Sequence, residues 1–551
     1  MAVEIGVDAV NEQEFNNLAA TVKQRFEKSE NARQFDEKRW LKAYRNYRGI
    51  YGSDMAFTEK EKSKVFVKIT KTKVLASFGQ IIEVLFGSGK FPLGIEPTPV
   101  PEGIAEYAHL KPQGMKKESN GSAAGIYGYD GDGRDIPAGA TADILGGLAE
   151  EFQEAGFEKG PAPDLKTMPQ IEPAAMAASE MEKYVHDQLD ATSAITVLRH
   201  VFFEMALLGT GVLKGPFNYE QLINRWMENP ETGSRDYVPS SKLVPKLEAV
   251  SCWDFYPDPN AVNMEDAEYA IQRHILNRSQ MRDLINRPLF REDAIRRCFE
   301  MGYSYTPRAF ESSLQDRENM NEFEKDRFEV YEYWGIMDKA FVEEAGLPIE
   351  MEDDLDEVQV NAWVSASGQV LRLTLNPFTP ERLPFSVCPY ELNPYQFFGV
   401  GIPENMDDSQ QIMNGHARMA IDNLALAGNL VFDIDETMLV PGQDMSVYPG
   451  KIFRRQSGMP GQSIHGVKFP STANENMMMF DRFRQLADES TGMPSYSHGQ
   501  TGIQSTTRTA AGMSMLMGAS ALNIKTVIKN IDDYLLRPLG ESLFSWNMQF
   551  N

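Results

Sequence analysis

Apolar positions recur at three- and four-residue spacing from about residue 12 to 47, where Phe15, Leu18, Val22, Phe26, Trp40, Tyr44 and Tyr47 mark one stripe and charged residues fill the other faces. The spacing predicts one long amphipathic helix. A second helix is expected over 63–86, stopped by the glycines of Gly87-Ser-Gly. Residues from about 98 to 173 are rich in Gly, Ala, Pro and Glu and poor in aromatic and β-branched types, the composition of an insertion or mobile loop with no core role. Helix resumes over 174–213 in two pieces, short strands follow from 212 to 255, and Asp254-Phe-Tyr-Pro-Asp-Pro-Asn closes them as a turn cluster. A strand at 264–273 then precedes a helix at 279–287.

Period-two alternation takes over at Phe328-Glu-Val-Tyr-Glu-Tyr-Trp-Gly and again at 358–366 and 370–375, the last two joined by a Ser-Gly hairpin signal. The acidic run 350–357 reads as a solvated loop tip. Further on, Phe398-Gly-Val-Gly-Ile-Pro breaks at Pro403 into a helix reaching Gly428. Short strands are expected around 430–434 and 450–454, with turns at Pro441-Gly-Gln and Gly458-Met-Pro-Gly. A helix over 473–490, a polar loop from Gly492, and a long helix from Thr507, bent or interrupted at Pro538, complete the reading. The fold class is α+β.

Composition narrows the function. At 551 residues the chain exceeds one ordinary core and forms two or three lobes or one elongated subunit. A formal charge of −25 excludes a generally basic, polyanion-binding surface. Cys252, Cys298 and Cys388 lie far apart without CxxC spacing, against a disulfide framework or zinc site and in keeping with a reducing cytoplasm. The N-terminus has neither basic nor apolar signal regions, so no secretory signal is expected. The best membrane candidate, 195–213, is interrupted by Arg199, His200 and Glu204, whereas a spanning helix needs about 20 mostly apolar residues. No membrane partner is expected.

Catalytic motifs are missing. Gly87-Ser-Gly-Lys-Phe lacks the first glycine of a phosphate loop, Val84 standing there, and has Phe91 where Ser or Thr belongs. Asp130-Gly-Asp-Gly-Arg-Asp places Arg134 and Asp135 where an EF-hand needs an oxygen ligand and glycine. The seven histidines are scattered, Asp407-Asp408 suits a helix N-terminus, and Asp532-Asp533 suits a solvated helix face. Met477-Met-Met-Phe is expected in core packing, although methionine also adapts to shifting contacts. No enzyme activity, metal or cofactor is expected.

In order, the turn at Asp254 with the strand 329–334, the Phe398-Gly-Val-Gly-Ile-Pro approach to a helix, the small β insert, and the Ser/Thr/Gly loop before Thr507-Arg-Thr-Ala-Ala-Gly resemble the portal proteins, or head-to-tail connectors, of tailed bacteriophages, in particular those of short-tailed phages. The resemblance covers 12–551 apart from the insertion at about 100–173. It implies an elongated α+β subunit with a wing at 1–398, a first stem helix at 399–428, a clip at 429–470, a second stem helix at 471–491, a tunnel loop at 492–506, and a long helix at 507–551 leading to the crown. Because the chain stops at Asn551, a full crown or barrel is expected to be missing or truncated.

The resemblance further implies a homo-oligomeric ring of twelve at one capsid vertex, a channel for double-stranded DNA in packaging and ejection. Its implied partners are the terminase large subunit, a head-to-tail adaptor, and the major capsid and scaffolding proteins. It implies virion localisation after assembly in the host cytoplasm. Ser495, Tyr496, His498, Gln500, Thr501, Gln504 and Arg508 would line the tunnel loop. Lys451, Arg454, Arg455 and Lys468 would face DNA, an adaptor or terminase from the clip, or serve only as surface solvation. Gly399, Gly401 and Pro403 would form the bend from wing to stem. The alternatives are a nucleic-acid-processing or packaging enzyme with an unrecognised site and a different ring-forming connector or scaffold component.

Overall fold

The computed structural model describes residues 12–52, 57, 62–89, 91–97, 173–228, 235–314, 326–345, 347, 356–428, 431–446, 448, 450–456, 464–493 and 523–550. The chain divides into two compact units, residues 94–185 and the remainder. In the smaller, the backbone N–H of Ile95 donates to Glu182 Oε2 across 3.2 Å.

The larger unit is α+β and centres on a five-stranded antiparallel sheet in the order β3 (Phe255–Pro257), β4 (Tyr269–Leu276), β5 (Phe328–Asp338), β6 (Glu357–Ser365) and β7 (Val370–Leu375). Alternation along β5 sends Tyr331 and Tyr333 to one face and Phe328 and Val330 to the other. Helix α1 (Glu12–Ala32) covers the tyrosine face with Leu18, Val22 and Phe26. Helices α6 (Arg278–Asp283) and α7 (Glu292–Met301) cover the second face with Met281 and Ile295. Each fully buried apolar side chain of this kind contributes about 1.5–3 kcal/mol.

Arg33 interrupts the expected 12–47 helix, which becomes α1 and α2 (Gln34–Arg48). Its buried guanidinium donates to the carbonyls of Cys252 (2.9 Å), Trp253 (2.8 Å) and Phe255, partners far along the chain. Helix α3 spans Ile69–Phe86, so its start falls later than the expected 63. The backbone N–H groups of Ser63 and Val67 are taken instead by Asp422 Oδ1 and Asn414 Oδ1, each at 2.9 Å, which holds that stretch extended.

After α4 (Pro173–Ala191) and α5 (Ala194–Leu208), the short strands expected over 212–255 are instead one long hairpin, β1 (Thr210–Glu228) with β2 (Arg235–Val250). Strand β8 (Phe385–Pro389) pairs with Thr210–Lys214 on the other side of β1. The strand expected at 264–273 starts at Tyr269, because Asp258 and Asn263 side chains cap the preceding turns. Two short helices complete this region, α8 (Ala309–Leu314) and α9 (Lys339–Glu344). Among the described residues, no single helix is long and apolar enough to cross a membrane.

Candidate channel and docking elements

Three glycines hold the junction where the sheets give way to the later helices. Gly209 ends α5 at φ +91°, and a Cβ there would lie 2.5 Å from Gly399 O and 2.7 Å from Gly401 N. A Cβ on Gly399 would meet the carbonyl oxygens of Glu391 and Gly209 at 2.7 Å. The two chain segments therefore touch backbone to backbone, a distance only glycine permits. Arg39 secures the outside by donating to Gly399 O (3.0 Å) and pairing with Glu404 (3.2 Å). Pro403 then sits in the first turn of α10 (Ile402–Asn405), where its missing N–H costs nothing. The structure thus brings Gly399, Gly401 and Pro403 together, and adds Gly209 and Arg39.

The helix expected over 403–428 is broken at Met406 and continues as α11 (Asp407–Gly428). Asp407 does more than complement the helix dipole: it pairs with Lys42 and accepts from Asn46 (2.8 Å), both on α2. One turn on, Gln410 Oε1 accepts from Thr70 N and Thr70 Oγ1 at 3.1 and 2.9 Å, locking α11 to the start of α3. Helix α12 (Ala473–Thr491) returns antiparallel to α11, with His416 Nδ1 3.0 Å from Asn476 Oδ1 and Asn423 accepting from Thr472 N at 2.8 Å.

Only part of this helix pair is covered. Ile412, Met419 and Leu426, seven residues apart, form an exposed apolar line along α11, with Met419 at 50 % exposure. Gly415 flanks the line and has nothing within 4 Å of where a Cβ would be. On α12, Met477, Met478 and Met479 are exposed, Met478 at 73 %, contrary to the expected core role, while Phe480 is buried. Three successive residues sweep about 200° of a helix, so one covered face does not bury all of them.

Between the two helices lies a small two-stranded sheet, β9 (Val431–Ile434) with β10 (Ile464–Val467). No strand forms at the expected 450–454; an isolated bridge, Leu439 to Arg455, follows that stretch. Lys451 is engaged internally, 3.3 Å from Asp444 Oδ2 and over the rings of Tyr448 and Phe453. Hydrogen bonds from Ser446, then that lysine, hold Asp444 down at about 2. Arg454, Arg455 and Lys468 are exposed. So are Ile452 and Tyr448, which gives this insert an apolar as well as a basic surface.

The expected loop residues Ser495, Tyr496, His498, Gln500, Thr501, Gln504 and Arg508 lie outside the described residues. Its near end is well anchored. Lys73 on α3 is 1 % exposed, pairs with Asp488 Oδ1 at 2.7 Å and donates to the carbonyl of Met493. Burial pushes the Lys73 ammonium below its ordinary value, while the hydrogen bond to Asp488 opposes the shift. Gly492 packs directly against Asn523, so the chain returns beside the place where it left. From there a helical stretch at 523–531 passes through a π-turn, Asp532–Leu536, into α13 (Arg537–Phe550). The interruption thus precedes Pro538, and Asp532 and Asp533 are solvent-facing.

Residues 227–551 match the family model of the phage SU10 portal protein. The match spans the sheet from β3 to β7, the glycine junction at Gly399 and Gly401, the α11–α12 pair with its β insert, and the terminal helix. It agrees with a structural rather than catalytic family role. The chain belongs to the phage SU10 portal protein family and is a phage portal protein of the short-tailed type.

Proposed function

We propose that twelve copies of this chain assemble into a ring at one capsid vertex, forming the channel through which double-stranded DNA is packaged and later ejected. In this reading residues 1–398 form the wing, 399–428 and 471–491 the stem helices, 429–470 the clip, 492–506 the tunnel loop, and 507–551 the helix toward the crown. The observation that carries it is the exposed line Ile412–Met419–Leu426 beside the open Gly415. A heptad-spaced apolar line on a helix that already has one partner calls for a second helix, and an uncovered glycine lets that helix come close. A neighbouring copy supplies it through α12, whose exposed methionines adapt to such a contact.

Charge supports the same reading. Twelve copies at −25 place roughly −300 of formal charge around the passage, and such a wall lets DNA slide where a basic wall retains it by counterion release. The insert carrying Arg454, Arg455, Lys468, Ile452 and Tyr448 is the docking surface for the terminase large subunit and then the head-to-tail adaptor. The major capsid and scaffolding proteins contact the wing. Deleting 495–505 tests the channel assignment: DNA filling of particles falls while ring assembly persists. Normal filling by the deletion variant contradicts it.

A further inference from the structure

The sheet face turned toward α6 and α7 carries a polar row across four strands. Gln272 on β4, Glu332 on β5, Trp363 on β6 and Arg372 on β7 stand directly opposite one another in register. The first half of the row is satisfied. Lys214 Nζ donates to Glu332 Oε2 (2.6 Å) and Gln272 Oε1 (2.9 Å), His274 Nε2 lies 2.8 Å from Glu332 Oε2, and Trp334 Nε1 donates to Glu332 Oε1 (2.8 Å).

The second half is not. Trp363 is 8 % exposed, and its buried indole N–H has no acceptor. The buried Nε of Arg372 has none either, and among the described residues this guanidinium forms no ion pair. Its electrostatic neighbours are Glu332, already engaged by Lys214 and His274, and Arg287, which repels it. Burial pushes the Arg372 guanidinium below its ordinary value. Buried donors without acceptors are uncommon in folded proteins because their lost hydration is not replaced.

Both donors belong to one small place. Residues directly opposite on adjacent strands have Cβ atoms about 4.5–5.5 Å apart. The Phe290 ring lies 5.5 Å from the guanidinium carbon of Arg372 and packs edge-on against Trp363 at 5.3 Å, forming an apolar lip. The ring of His274 stacks on Trp363 at 4.8 Å, which steadies the indole. Strand β7 is the last of its sheet, the backbone N–H of Arg291 donates to Leu371 O (2.8 Å) beside it, and Arg372 is half-buried. A cation with a planar fork, a neighbouring indole N–H and a carboxylate neighbour already engaged by Lys214 and His274 match a two-oxygen anion.

We propose that Arg372 and the Trp363 indole form a notch for one oxyanion, either a carboxylate of a neighbouring copy or free inorganic phosphate. Only the neighbouring-copy source rests on the ring reading. The test titrates sodium phosphate at constant ionic strength into dissociated subunits and into assembled protein, following tryptophan fluorescence, with Trp363→Phe assigning the signal. Dissociated subunits respond saturably, and Arg372→Gln weakens the response by about tenfold or more. An assembled form that no longer responds identifies a neighbour's carboxylate as the occupant, and one that still responds identifies phosphate. A dissociated subunit without a saturable response, or one that Arg372→Gln leaves unchanged, overturns the notch whether or not rings form. A second readout guards against a purely structural role: Arg372→Gln leaves the melting temperature of the dissociated subunit unchanged or raised. A drop of several degrees means the chain itself holds this arginine, and overturns the proposal.

Discussion

Lys73 on α3 and Asp488 on α12 meet at 2.7 Å with the lysine 1 % and the aspartate 18 % exposed, and the same ammonium holds the carbonyl of Met493. A cation at the end of α12 complements its dipole and ties α3 to Met493, just past that helix. Lys73→Met takes the lysine from Asp488 and leaves the Met493 carbonyl without this donor, at a cost of about 1–3 kcal/mol. Thermal unfolding checks it: the midpoint falls, and Lys73→Met with Asp488→Asn together recovers part of the loss. An unchanged midpoint in the single variant contradicts the latch.

The glycine junction makes a contrasting pair of predictions. Gly399→Ala forces a methyl within 2.7 Å of two carbonyl oxygens and destabilises by about 1–3 kcal/mol. Gly415→Ala enters open space on an exposed helix and raises the stability of the dissociated subunit by up to about 1 kcal/mol. Denaturant titration of both variants reads the opposite signs.

Glu204 sets a pH dependence. Burial pushes its carboxyl from 4.5 up to about 7, opposed by hydrogen bonds from Ser251 Oγ (2.6 Å) and Cys252 N (3.1 Å). The folded value lies above the unfolded one, so the folded state binds this proton more tightly. Its contribution is complete below about pH 4.5 and is lost as the pH rises through about 7. Glu204→Gln therefore removes about 1–3 kcal/mol of the stability difference between those limits. Melting temperatures of both proteins across that window, with the variant's profile flatter, check the sign.

What depends on neighbours along the chain is legible in the residues, and what depends on distant ones is not. Strands β5, β6 and β7 are legible because alternation is a local pattern, and the backbone junction at Gly399 and Gly401 and the helix start at Pro403 announce themselves in residue type. Gly209, its counterpart, carries no signal of its own because its role is set by backbone that arrives nearly two hundred residues later. Arg33 looks like one more charged residue on a helix, and its buried contacts lie with Cys252, Trp253 and Phe255. The start of α3 shifts for the same reason, since Asp422 and Asn414 claim the backbone donors that a helix leaves free. In the insert between α11 and α12, Lys451 reads as an available cation only until Asp444 and two aromatic rings are seen beside it.

Assembly through the Ile412–Met419–Leu426 line is the central claim. Negative-stain electron microscopy of the purified protein and of Met419→Asp, each with far-UV circular dichroism, tests it most directly. Rings with a central hole are expected for the parent chain and folded, dispersed subunits for Met419→Asp, because the charge would be buried without a partner at the contact. A parent chain that stays strictly monomeric under assembly conditions, or a Met419→Asp variant that forms the same rings, contradicts it.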